Sequence, residues 1–209
     1  MESIKLNAEN TKLAVQKVVD TINAGGIACF ACNGNYRLAV DFDDQDAVIA
    51  LLQSKRRVAR TPGLVFTHNI NTAQDIAGME NSTKDLVQKH WPGPLTLLVE
   101  PKHNLSKKIL KQVTSKQGKL GIRIPNCTFT QAVLDKCGKN LLISSANRVK
   151  KHGETSPAQI QKNFATTVDI FIHQGDLQPG AKSTIVDVKE DKIVIVREGK
   201  LTPQDILGE

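Results

Sequence analysis

The sequence predicts an α/β (α+β) protein, a mixed β-sheet flanked by helices, and three observations carry that reading. Segments with helical spacing of apolar residues alternate with short β-branched or aromatic runs along the whole chain. Apolar residues make up 40% and charged residues 23%, the balance of a chain that closes a core. A length of 209 residues suits a single domain over residues 1–209 that needs neither disulfides nor a structural metal.

The elements follow in order. Val15, Val18, Val19 and Ile22 share one helical face, Asn10 or Thr11 caps its start, and Gly25-Gly26 ends it. Residues 27–31 read as a short buried strand, and residues 44–54 as a second helix with Val48, Leu51 and Leu52 inward. Residues 64–66 are strand-like. A helix over 84–90 is stopped by Trp91-Pro92-Gly93-Pro94, because two prolines remove donors and fix the backbone. A strand over 95–100 leads to a basic amphipathic helix over 105–113, and a strand over 120–124 ends at Pro125. A helix over 128–136 precedes a strand over 141–144. Ser156-Pro157 opens another helix, a serine cap with proline at the first helical position. A strand over 168–172 follows, then a hairpin of 185–188 with 193–196 across Lys189-Glu190-Asp191. Thr202-Pro203 starts a last short helix. No internal repeat is visible.

A net charge of +7 fits either an anionic partner or simply a soluble basic protein. Aromatics at 4% argue against a single-strand nucleic-acid binder built on stacking. Charge without aromatics suits phosphate contacts, on a nucleotide or on structured RNA. No apolar stretch approaches the length of a membrane span, and Met1-Glu2-Ser3-Ile4 lacks a signal pattern. The expectation is a cytoplasmic protein without membrane contact.

Cys29-Phe-Ala-Cys32 has the spacing of a redox or zinc pair, but on a strand residues three apart point to opposite faces. Cys127 and Cys137 have no histidine at ligand spacing, so all four cysteines are read as reduced thiols and no metal site is assigned. His68, His90, His103, His152 and His173 show no metal spacing either and are read as surface residues.

Three stretches carry chemistry. Lys55-Arg56-Arg57 follows a helix, where cations complement the dipole or bind a ligand. Ser144-Ser145-Ala146-Asn147 closes an apolar strand, either as a plain turn or as the crevice where α/β sheets place ligands. Ser183-Thr184 enters one hairpin strand and Arg197-Glu198-Gly199 leaves the other. There is no Gly-x-x-x-x-Gly-Lys-[Ser/Thr] loop and no Gly-x-Ser-x-Gly elbow.

In order, these stretches resemble the YrdC-like family of threonylcarbamoyl-AMP synthases. Lys55 and Arg57 match a Lys-x-Arg element, and residues 91–96 match Trp-Pro-Gly-Pro-Leu-Thr. Gly121-Ile122-Arg123-Ile124-Pro125 matches Gly-x-Arg-x-Pro, and Ser145 with Asn147 matches Ser-x-Asn. Ser183-Thr184-Ile185-Val186-Asp187 and Val196-Arg197-Glu198-Gly199 complete the series. The resemblance covers residues 25–199.

The resemblance implies a twisted YrdC-like fold around a large open basic cavity. It implies an activity that makes threonylcarbamoyl-AMP and pyrophosphate from L-threonine, bicarbonate and ATP, with Mg2+, for modification of transfer RNA. By the family pattern Lys55, Arg57, Ser145, Asn147 and Arg197 line the nucleotide, Lys55 and Arg57 acting on the reacting phosphates. Arg123 and Ser183 hold the threonine, with Cys32 and Tyr36 beside them. Structured RNA, either tRNA or double-stranded RNA, and the tRNA threonylcarbamoyl-transfer machinery are the implied partners.

The chain departs from the family at two places. Where the family carries Pro-Thr-x-Thr-x-Tyr-Gly, residues 31–37 read Ala-Cys-Asn-Gly-Asn-Tyr-Arg. Tyr36 is kept, Cys32 stands for the pocket threonine, and Arg37 stands for a glycine. After Asn147 the family has x-Ser-Gly; here Arg148-Val149-Lys150-Lys151-His152-Gly153 forms a basic insertion, either a phosphate contact or a solvated loop. Besides a working synthase, two readings stay open: a structured-RNA binder of the same fold, and an enzyme acting on another carbamoyl or acyl acceptor.

Overall fold

A computed structural model of the chain describes residues 1–55, 62–77, 81–102, 106–147, 155–189 and 192–208. Two compact units are present, each assembled from two separate stretches of chain: 1–58 with 127–180, and 59–126 with 181–209.

The first unit holds β1 (Glu2–Lys5), α1 (Thr11–Asn23), β2 (Ala28–Cys32), β3 (Asn35–Asp41) and α2 (Gln45–Ser54). Its second stretch adds α6 (Thr128–Cys137), β7 (Leu141–Ser145), α7 (Pro157–Phe164) and β8 (Ile170–His173). Its strands run in the order β1-β8-β2-β3-β7. The β1–β8 and β2–β8 pairs are parallel, whereas β2–β3 and β3–β7 are antiparallel. Helix α1 buries Ala14, Val15, Val18, Val19 and Ile22, and it packs on α6 and on β2, β3 and β8. Phe30 and Phe129, ring centroids 5.8 Å apart, join β2 to α6. Asp44 caps α2 by accepting hydrogen bonds from the Asp46 and Ala47 amides, leaving Val48, Leu51 and Leu52 buried one turn on.

The second unit holds β4 (Leu64–Phe66), α3 (Ile70–Ile76), α4 (Asn81–His90), β5 (Leu95–Val99), α5 (Lys107–Val113) and β6 (Leu120–Arg123). It is completed by β9 (Thr184–Lys189), β10 (Lys192–Arg197) and α8 (Pro203–Leu207). Its strands run β4-β6-β5-β9-β10. The β4–β6 and β5–β9 pairs are parallel, and β5–β6 and β9–β10 are antiparallel. Strand β10 is the outer one and leaves Val194 and Val196 exposed, with a register shift between Ile195 and Arg197. The mixed α/β class and nearly all sequence-read elements are therefore present.

Three elements were not read from the sequence. Strand β1 is a polar four-residue edge, and α3 begins with an Asn69–Thr72 capping box rather than a long apolar face. The third is β3, over Asn35–Asp41. Asn33 and Gly34 both have positive φ, 53° and 73°, and Cys32 faces Asn35 across the pair. That is a two-residue type I′ hairpin, for which Asn-Gly is the preferred sequence. A Cβ on Gly34 would meet the Gly180 backbone, so the turn is closed as well as left-handed. The histidines differ from expectation too: His68, His90 and His173 are half-buried, and burial among apolar neighbours such as Phe171 lowers the His173 pKa. His103, His152, the 148–153 insertion and part of the 189–191 turn lie outside the described residues.

Three outcomes follow for stability. Gly34→Ala should cost about 1–3 kcal/mol in urea unfolding. Gly118→Ala, also at positive φ but with nothing near its Cβ, should cost only about 1 kcal/mol. Lys139 donates to Asp41 Oδ2 at 2.6 Å, and this hydrogen bond raises the lysine pKa above its ordinary value. A cation raised on folding stabilises below its unfolded pKa and loses that contribution as pH climbs through the folded one. The thermal midpoint gap between the natural chain and Lys139→Met should hold at neutral pH and close in strongly alkaline buffer.

Candidate functional site

Of the site residues read from the sequence, Cys32, Tyr36, Lys55, Ser145 and Asn147 lie in the first unit, and Arg123, Ser183 and Arg197 in the second. In the first, α2 ends on Lys55, whose ammonium reaches the end of β7. Its Nζ donates to the Ser145 carbonyl at 2.5 Å, to Asn147 Oδ1 at 2.5 Å, and also to the Asn147 carbonyl. These contacts join residues 90 and 92 positions apart, so the Lys-x-Arg and Ser-x-Asn elements meet through one lysine. Ser145 takes part through its carbonyl. An ammonium carries three donors, so a phosphate oxygen reaching it must exchange with one of these partners. Arg57 lies outside the described residues.

Cys32 and Tyr36 flank the Asn33-Gly34 turn. Tyr36 is fully buried, donates its hydroxyl to the Gly175 carbonyl at 2.6 Å, and accepts from the Gln174 amide at 3.0 Å. Burial raises its pKa, and Phe171 meets its ring edge-on at 5.0 Å. Tyr36 therefore anchors the 174–175 segment, and one hydroxyl lone pair is all it has left for a ligand. Cys32 lies beside Cys127, the N-cap residue of α6, with the sulfurs 2.7 Å apart; Cys127 donates to Asn33 Oδ1 at 2.7 Å. Sequence reasoning missed Cys127 and Asn33. Asn-Gly is a turn-forming dipeptide and could have marked Asn33, but nothing local signals a thiol neighbour 95 residues away.

In the second unit Arg123 ends β6 and is buried at 2% exposure, where an arginine is tolerated only with partners. Its Nε donates to the Gly93 carbonyl at 2.7 Å and its guanidinium lies 5.9 Å from the Phe66 ring centre. Gly93 N in turn bonds the Ile124 carbonyl, so the Trp-Pro-Gly-Pro segment folds onto the arginine's own strand. Ser183 is buried, with its Oγ 2.9 Å from Thr96 Oγ1. Arg197 Nη2 donates to the Ser183 carbonyl at 2.7 Å and reaches Ser183 Oγ at 3.3 Å. The next residue holds the return of the chain: Thr184 Oγ1 donates to the Leu201 carbonyl and accepts from the Gly199 and Leu201 amides. Gly199 lies so close to the 182–183 backbone that a Cβ would collide with it. Among the described residues no three His, Cys, Asp or Glu side chains come together as a metal site, and no helix is long and apolar enough to cross a membrane.

Solved structures share this fold. The crystal structure of Escherichia coli YciO superposes with a TM-score of 0.83 over 98% of both chains at 20% identity. That of Pyrococcus abyssi Sua5 complexed with L-threonine gives 0.84 over 99% of this chain and 59% of that one, at 22% identity. The fold is YrdC-like. The chain belongs to the Sua5/YciO/YrdC family, whose model, described as telomere recombination, matches residues 20–199. Among curated relatives, a Methanocaldococcus jannaschii protein provisionally named a threonylcarbamoyl-AMP synthase is 26% identical over 97% of this chain and 93% of its own length. A Pyrococcus abyssi threonylcarbamoyl-AMP synthase is 25% identical over 88% of this chain, which spans only 54% of that longer protein.

Arg123→Lys keeps the charge but loses the planar fork that reaches Gly93. Its unfolding free energy should fall by about 1–3 kcal/mol, read from the urea midpoint, because a buried carbonyl loses its charged donor.

Proposed function

We propose that this chain is a threonylcarbamoyl-AMP synthase, joining L-threonine, bicarbonate and ATP into threonylcarbamoyl-adenylate and pyrophosphate. The observation that carries the reading is the seat of the Lys55 ammonium on Ser145 and Asn147. It places a cation and polar groups from two distant motifs at the carboxyl end of one strand, where α/β sheets receive ligands. The relatives above that carry an activity in their names carry this one, and a structural neighbour is named as a complex with L-threonine.

The chemistry asks little of a general base. Threonine carbamoylated by bicarbonate presents an oxygen that is already anionic, and its attack on the α-phosphorus expels pyrophosphate. That step needs alignment and neutralised charge. Lys55, Arg57 and Arg197 would supply positive charge to the nucleotide, with Ser145 and Asn147 as its polar contacts. Arg123 would pair with the threonine carboxylate, its orientation fixed through Gly93, with Ser183, Cys32 and Tyr36 beside the amino acid. Magnesium would come with the triphosphate, since it binds through phosphate oxygens and water rather than needing a protein cage. The product would pass to the machinery that modifies transfer RNA in the cytoplasm.

The test is pyrophosphate release from the intact chain. It should require threonine, bicarbonate and ATP together, and serine in place of threonine should report on the Cys32 wall. Lys55→Ala and Arg57→Ala should each lower the rate roughly 30- to 1000-fold. Unchanged turnover in both would reject the nucleotide assignment, and release without threonine would reject the synthase reading.

A further inference from the structure

The four cysteines are not equivalent. Cys29 and Cys32 share β2, yet Cys29 is fully buried, and burial pushes its thiol pKa far up. Burial also raises the Cys137 thiol. Those two are poor nucleophiles, because the thiolate is the reactive form. Cys32 and Cys127 are different: their sulfurs lie 2.7 Å apart, within about 0.7 Å of the ~2.05 Å disulfide length. Three features hold them there. The Asn33-Gly34 turn fixes the end of β2, Asn33 Oδ1 accepts from Cys127, and α6 starts at Cys127.

We infer that Cys32 and Cys127 form a reversible dithiol–disulfide couple, oxidised by exchange with a small-molecule disulfide, whose closure locks the Cys32 side chain away from any ligand. Accessibility sets the order of events: Cys127 is half-exposed and Cys32 is buried. The Cys127 thiolate attacks the small disulfide, forms a mixed disulfide and releases one thiolate. Cys32 sulfur then attacks Cys127 sulfur and displaces the second. Each protein thiol gives up one proton, the protein loses two electrons, and the small disulfide is reduced to two thiols. The thiol neighbour of Cys32 is thus Cys127, at the N-cap of α6, and not Cys29 on its own strand.

The consequence for activity rests on the proposed function, in which Cys32 stands beside the threonine; the thiol chemistry does not. The experiment separates them. The full chain is equilibrated with mixtures of reduced and oxidised glutathione, quenched by alkylation, and read by intact mass and peptide mapping. Expected are the loss of two alkylatable thiols and one cross-linked peptide pair, Cys32 with Cys127, reversed by dithiothreitol. Cys127→Ser and Cys127→Ala should abolish the cross-link, and Cys137→Ser should leave it. A glutathione adduct that stays on Cys127 without closing, or a cross-link through Cys29 or Cys137, overturns the couple. In the pyrophosphate assay, oxidised protein should lose the threonine-dependent signal and regain it on reduction, while Cys127→Ser keeps it under oxidant. A cross-linked protein with undiminished threonine dependence overturns the effect on the ligand. An inactive reduced protein that still forms the cross-link counts against the synthase reading alone.

Discussion

Two left-handed residues, Asn33 and Gly34, hold the register on which the first unit depends. The hairpin they close supplies β2 and β3, the inner strands of that sheet, with β8 on one side and β7 on the other. Side chains alternate along a strand, so a slip of one residue would exchange every buried group for its neighbour. Both faces of these strands are buried, so Phe30, Leu38 and Val40 would be forced into the space that smaller neighbours such as Cys29 and Ala39 fill, and Tyr36 would lose its reach to Gly175. Bulkier turn residues are barred by the nearby backbone at Gly180.

A second pattern concerns how cations are kept. Lys55, Arg123 and Arg197 each donate to backbone carbonyls that end a strand or a tight turn. A carbonyl oxygen accepts these hydrogen bonds and fixes each cation in position. Lys119 and Lys139, by contrast, are matched to Asp187 and Asp41. Both kinds of contact fasten separate elements together: Lys55 ties the end of α2 to β7, and Lys119 ties its segment to β9.

The legible part of the fold was the part with periodic apolar residues. Helix α1, the second helix and the β9–β10 hairpin announce themselves because their buried positions repeat at 3.6 or 2 residues. Strand β3 shows no clean period, because Asn35 and Arg37 interrupt its apolar positions. Strand β1 is too short and polar to show a period. Among functional residues, contiguous motifs such as Trp91 to Thr96 could be read in place. Joinings across the chain, Lys55 to Asn147 or Cys32 to Cys127, arise from sheet order, which no local window contains. Burial was equally hidden, since nothing local says that Arg123 is enclosed.

The outer strand of the second unit carries its own deterrent against self-association. Among the described residues β10 has a strand neighbour on one side only, and it exposes Val194 and Val196, the ingredients of edge-to-edge polymerisation. A lysine opens the strand, an arginine closes it, and the register shift before that arginine bends the edge out of line. Any approaching strand would have to bury two cations and straighten a kink. Solubility at high concentration should therefore be more sensitive to neutralising Lys192 than to most other surface changes.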